Sequence, residues 1–509
     1  MPPDVTSTSS AMGLKLITPL WLGVSVCIAQ AQAPPAVSQG GVVNAASLMP
    51  QSLPGGAIAR GAAFRISGPR LASANALPSD VSIRIFQGAT SVDVTPRTVG
   101  EQVIEAIMPD VAPIGVANLV VTYRGQSSAP SPVRISPAAF GIYTLNKLGW
   151  GPADGRTAGP FRPGETLELR GTGLGIRPQA IEVLVAGRRA HGTPTEEGGI
   201  RFRIPRDAPE GCYVPVAVRT ADNTMSNTAT VAISRKGKTC AASNLWSPPS
   251  RKEGEARGWI ALARLAADIR MGANPHFIFD SDSSVATFRR TDRETALDQW
   301  DIVPPPGSCI AFAQRAVLSG LSLPGLGLTR GHGLDAGDRI EIRGPAGAKT
   351  LNRSIQDGSI YSAILGGNAP SVFVKPSPLF LAPGEYALSV PGGAAVAPFG
   401  ASLEIERAVE WGNRGEVATV DRERGVTLNW IAAPRNAVLL VAVNVDAASG
   451  AMGLCACLAP PGTRQFAIPP HALANIPATP RETPGLPLSL LAVVALRSTQ
   501  QDAVTVVSA

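Results

Sequence analysis

Histidine is scarce in this chain of 509 residues: there are four, at positions 191, 276, 332 and 471, and no two are close in sequence. A His-Glu-x-x-His metal pair, which needs two imidazoles one helical turn apart, is therefore excluded. A Gly-x-Ser-x-Gly nucleophile elbow is also missing, as is a phosphate-binding loop built from glycines and a lysine. No catalytic residues, cofactor or metal site are expected. Aromatic residues make up only 5% of the chain, so most of them are needed for hydrophobic cores. Charged residues are 16%, and the net charge of +7 is spread without any long run of one sign. Counterion release from a clustered cationic face is thus not available, and nucleic acid is not an expected partner. Beyond the amino terminus no apolar run is long enough to span a membrane.

Glycine and proline are plentiful, at 53 and 46, and 44% of residues are hydrophobic. Many short strands joined by many turns fit that balance, and Val, Ile and Leu spread throughout argue against general disorder. A chain this long exceeds one ordinary core, so roughly three to five units are expected. The fold class read from these features is all-β.

Residues 12 to 33 carry one basic residue, an apolar stretch and then small residues, the pattern of a secretory signal peptide. Ala29-Gln30-Ala31 supplies the small-x-small site, which assigns 1–31 to the signal, with Met12 a candidate start. Val26 precedes Cys27 where a lipid-anchor signal wants a small residue, so lipidation is not expected. The implied location is secreted or in the cell envelope, where cysteines tend to oxidise. Six cysteines are present, Cys27 within the signal. Cys212 precedes one predicted strand and Cys240 follows the next, so this pair is expected to bridge. Cys309 can pair with either Cys455 or Cys457, which share a strand face, leaving one thiol over. With no further Cys or His nearby, the Cys-x-Cys pair reads as structural.

The most informative pattern is a repeat of roughly 100 residues between positions 40 and 236. Gly61-Ala-Ala-Phe-Arg-Ile-Ser-Gly-Pro-Arg-Leu71 returns as Gly164-Glu-Thr-Leu-Glu-Leu-Arg-Gly-Thr-Gly-Leu174. Val81-Ser-Ile-Arg-Ile85 returns as Ile181-Glu-Val-Leu-Val185, and Pro109-Asp-Val-Ala-Pro-Ile-Gly115 as Pro205-Arg-Asp-Ala-Pro-Glu-Gly211. Each copy closes on a serine, Ser128 or Ser226, followed by an alternating strand. Strands with one apolar and one wet face pack as two sheets, so the repeat predicts two tandem sandwiches.

The order of these pieces resembles the IPT/TIG immunoglobulin-like domains, in which a Pro-Gly turn leads into a strand ending Gly-x-Gly-Leu. Gly41-Val-Val-Asn-Ala-Ala-Ser47 and the segment from Pro137 through Ile233 are similar to uncharacterised tandem-domain secreted proteins common in acidobacteria. More loosely, Pro305-Pro-Gly-Ser-Cys309, Leu334-Asp-Ala-Gly-Asp338 and Pro383-Gly-Glu-Tyr386 share the pattern. The resemblance implies fold and export and carries over no functional residue. The first copy departs from it, because Ser67-Gly-Pro-Arg70 replaces Gly-x-Gly.

After position 245 the repeat fades while strand patterning continues, as in 339–343, 426–430 and 438–443. The domain division expected is 32–136, 137–236, 245–410 and 411–509. Segment 256–270 is ambiguous: Trp259, Leu262, Leu265 and Ile269 lie at helical spacing, yet its surroundings favour strands. Residues 475–487, with four prolines, read as a loop.

Candidate sites are few. His332 near Asp335 and Asp338 is read as part of a turn, given Gly331, Gly333 and Gly337. Asp280-Ser-Asp-Ser-Ser284 alternates oxygen ligands like a calcium loop but lacks the later Gly and Glu, and is read as a solvated loop. Trp430 continues an alternating strand and is expected in a core. Trp246 and Trp300, in polar, Pro-flanked contexts, are the candidate ligand platforms. The function expected is non-enzymatic binding or adhesion to an extracellular glycan or surface protein; an accessory module of polysaccharide processing and a structural spacer are the alternatives.

Overall fold

The computed structural model describes residues 33–155, 159–178, 180–240, 253–270, 276–291, 302–315, 332–355, 357–368, 375–407, 409–431, 438–446, 448–479, 489–495, 497–501 and 504–508. The signal segment, Trp246 and Trp300 lie outside these residues. Among the described residues the chain is all-β, in several sandwich units, with one short helix, Pro470–Leu473. Among the described residues no helix is long and apolar enough to cross a membrane.

The first sandwich sets a sheet ordered Val42–Asn44, Ala63–Ser67, Val103–Ile107, Pro96–Val99 against one built around Ser131–Ser136, Gly115–Tyr123 and Val81–Gln87. Alternation explains why: Phe64 and Ile66, Ile83 and Ile85, Leu119 and Val121 all point inward and are fully buried. Each such side chain contributes about 1.5–3 kcal/mol when removed from water. In the second sandwich a seven-stranded sheet wraps a core containing Val183, Phe202, Val216 and Val218. A disulfide joins Cys212 to Cys240 at the end of this unit.

The two copies share atomic devices as well as strands. Ser128 Oγ accepts the Val121 N–H at 3.1 Å and donates to Ala129 O at 3.0 Å. Ser226 Oγ likewise accepts the Val218 N–H at 2.9 Å and donates to Asn227 O at 2.7 Å. The Pro-x-x-Ala turns match too, with Ala112 N on Pro109 O and Ala208 N on Pro205 O, both at 3.1 Å. Where the first copy departs from Gly-x-Gly, Arg70 takes the left-handed backbone, φ 58°, that Gly173 takes at φ 104° in the second.

In the second half one sheet runs from Phe399–Ile405 through Gly384–Val390, Arg339–Gly344, Gly347–Arg353 and Ile360–Gly367 to the hairpin His276–Arg290 and Ala256–Arg270. It continues into Val504–Ser508 and Arg497–Gln501, and curls until Phe399–Ile405 lies against these last strands. Segment 256–270 is thus a strand: all fifteen residues pair antiparallel with 276–290. Its helical spacing has no structural consequence, since Leu262 is buried while Leu265 is exposed. A further sheet, ordered Ser308–Arg315, Ala451–Ala459, Val438–Asp446 and Ser489–Ala495, stands beside the pair Val426–Asn429 and Gln465–Ile468. Pairings therefore cross residue 410 in both directions: Ser308–Arg315 joins strands beyond it, and Val504–Ser508 joins Ala256–Arg270.

Candidate functional site

The seven-stranded sheet of the second sandwich turns one face to its core and the other outward. In Ile181–Val185 the odd positions fill the core, while Glu182 and Leu184 face out. Leu184, Ala217 and Met225 form a small apolar patch on that outer face, and Ala474, just after the short helix, packs on it. Toward Arg188–Pro194 the sheet is open, and there the register brings charge together. Glu182 stands opposite His191 on one neighbouring strand and opposite Arg219 on the other. Its carboxylate takes Arg189 Nε at 3.2 Å on one oxygen and Arg219 Nη1 at 3.0 Å on the other.

These side chains line a shallow cleft of about 310 Å³ whose remaining walls include Ala180, Ile181 and Thr220. Two guanidiniums share one carboxylate, which leaves the cleft with a positive surplus. The Nε of Arg219 is buried and, among the described residues, has no hydrogen-bond partner. Arg189 is the exposed arm, its side chain 76% exposed against 26% for Arg219. On the short helix just before Ala474, His471 packs near the Gly187 turn. Burial, and then the positive charge of Arg219, push its imidazole down to about 4, so it is neutral at physiological pH.

The segment read as a solvated loop, 280–284, is instead the interior of a strand. Asp282 is fully buried, held by Arg264 Nε at 2.7 Å and Nη2 at 2.8 Å, and accepts the N–H groups of Phe380 and Leu381, both at 2.7 Å. The polar run misleads because alternate residues, Asp282 and Ser284, face inward where partners await them. Four N–H donors satisfy this carboxylate, which is therefore structural. Near His332, Asp335 Oδ1 accepts the Gly337 N–H at 2.8 Å, the geometry of a turn.

Three sulfurs meet in the last sheet. Cys309 stands directly opposite Cys457 and is bonded to it, which decides between the two possible partners. Cys455 Sγ lies 3.6 Å from Cys457 Sγ, and all three sulfur atoms fall within 4.8 Å of one another. Burial raises the Cys455 thiol to about 12, which withholds the thiolate needed for exchange or metal capture. The cluster acts as a core staple beside Leu428 and Trp430.

Trp246 and Trp300, the sequence-read platforms, fall outside the described residues. The tryptophans that are described serve cores: Trp150 and Trp430 are buried, and Trp259 and Trp411 pack against core clusters. Sequence reading missed the Glu182 cleft altogether. Its only linear signal was the polar alternation of 181–185 and 188–191, which any half-wet strand shows.

No family model and no curated protein matches the chain. Among solved structures, it is similar to SGBP-B of a Bacteroides ovatus mixed-linkage glucan utilization locus, solved with a heptasaccharide, at 12% identity and TM-score 0.21. That match covers 35% of this chain and 45% of the other, so the chain spans less than half of that protein. SGBP-B from a Bacteroides uniformis xyloglucan utilization locus matches at 15% identity and TM-score 0.17, over 65% of this chain and 86% of that one. The Escherichia coli adhesin FdeC matches at 12% identity and TM-score 0.15, over 74% and 99%. At these identities and TM-scores the likeness assigns neither a family nor a site.

Proposed function

We propose that this chain is a non-enzymatic binding protein of the cell exterior, secreted or held in the envelope, whose sandwiches present a ligand contact to a glycan. The observation that carries this reading is the open cleft at Glu182: a ring-sized recess with charged side chains among its walls, set on a firmly packed sheet. Its donors and acceptors suit hydroxyl-rich ligands, and rigid scaffolds that offer such groups lose little entropy on binding. Two disulfides, Cys212–Cys240 and Cys309–Cys457, fit an oxidising compartment. Trp246 and Trp300 remain candidate platforms, since aromatic faces stack well on sugar rings.

The test is binding of residues 32–509 to a broad glycan array, with the Trp246→Ala/Trp300→Ala double variant alongside. Saturable binding to at least one glycan is expected. Loss in the double variant assigns the contact to the tryptophans, and retention assigns it elsewhere on the sandwiches. A chain that binds no glycan at all overturns the reading in favour of a protein partner or a structural spacer.

A further inference from the structure

The cleft at Glu182 offers two kinds of recognition at once. Arg189 and Arg219 supply planar forks of N–H donors, the groups best matched to a carboxylate or sulfate. Between them they have one neutralising partner, Glu182, and the buried Nε of Arg219 has none among the described residues. Glu182 in turn makes one ion pair at each oxygen with these arginines. A carboxylate has about four lone-pair sites, so acceptor capacity is left for hydroxyl donors. His191, opposite Glu182, adds an imidazole to the same wall.

These features exclude the simpler ligands. A bare inorganic anion would be drawn by the guanidiniums but repelled by Glu182, and would leave its acceptors unused. A neutral sugar would use the acceptors but not the positive surplus, and among the described residues no Phe, Tyr or Trp lines the cleft for such a ring to stack on. At about 310 Å³ the recess is at the small end of ligand pockets, the size of a single ring. Resting on the glycan-binding reading above, we infer that this cleft takes an acidic sugar unit, a ring bearing both a carboxylate and free hydroxyls, as in a polyuronate. The carboxylate lies against Arg189 and Arg219, and the ring hydroxyls donate to Glu182.

Calorimetric titration of the mature chain with trigalacturonic acid and with cellotriose, at low and moderate salt, tests this. The acidic trimer is expected to bind about tenfold or more tighter than the neutral one, with the difference shrinking as salt screens the guanidiniums. Arg189→Gln, at an exposed position that leaves the fold intact by thermal melting, is expected to remove most of that preference. Glu182→Gln separates the two kinds of recognition. It removes a negative charge, so it should tighten the acidic ligand if attraction to the arginines were all; the inference requires it to weaken binding. Tighter binding by Glu182→Gln, or an acidic preference untouched by Arg189→Gln, overturns the inference. Binding to neutral glycans alone overturns it while leaving the glycan-binding reading intact, whereas silence across a full glycan array overturns both.

Discussion

Asn475 Oδ1 accepts the backbone N–H of Gly55 at 3.2 Å, joining residues 420 positions apart. The same side chain donates through Nδ2 to Met225 O at 3.3 Å and Ser226 O at 3.0 Å. One buried amide therefore ties the first sandwich, the second sandwich and the segment after the short helix. Asn475→Ala leaves one N–H and two carbonyls without this partner, at about 1–3 kcal/mol. Asn475→Asp keeps the acceptor for Gly55 but aims an anionic oxygen at two carbonyls, and is expected to cost more. Hydrogen exchange at Gly55 reports both, with faster exchange in each variant.

Asp282 and Arg264 form the other buried polar joint. Asp282→Ala strands a half-buried guanidinium and the N–H groups of Phe380 and Leu381, and a loss of about 3–5 kcal/mol is expected. Urea unfolding gives the loss, and faster exchange at Phe380 and Leu381 locates it. Equal stability of variant and wild type would show that water replaces the carboxylate.

Arg70 holds a left-handed backbone without being glycine, a conformation that costs an L-residue about 1 kcal/mol or more. Arg70→Gly relieves that strain while adding unfolded-state entropy, so a net gain of up to about 1 kcal/mol is expected. Gly173→Ala at the matching turn is expected to lose at least about 1 kcal/mol, because a Cβ there would meet Ala139 O at 2.1 Å. Paired denaturation curves with shifts of opposite sign would establish the equivalence of the two turns.

His471 makes stability depend on acidity. In the unfolded chain its imidazole protonates near the ordinary 6.5, while in the fold burial and Arg219 hold it to about 4. Between those values the unfolded chain binds more protons, so the contribution is full above pH 6.5 and is lost as pH falls toward 4. His471→Gln does not titrate, and its stability is expected to fall less steeply across that window in urea titrations at stepped pH.

Much of the first half was legible because its information is local. Period-two alternation buries Phe64 and Ile66 or Leu167 and Leu169 whatever the rest of the chain does, and the serines at 128 and 226 bond within a few residues of themselves. The second half was harder: the hairpin 256–290 carries apolar residues at spacings that suit a helix as well as a strand, and pairing across its full length decides for the strand. Asp282 looked like a loop residue because nothing near it in sequence announces Arg264 or the N–H groups of Phe380 and Leu381.

What the sequence determined alone is the class of fold, the tandem repeat, its turns and the cysteines available for bonding, since each depends on contacts between near neighbours. Tertiary structure decided that Cys309 faces Cys457 rather than Cys455, that strands from either side of residue 410 share sheets, and that Glu182 meets both Arg189 and Arg219. Those outcomes depend on strand order and register, which bring together residues far apart along the chain. The burial that fixes register is summed over whole sheets and is written at no single position.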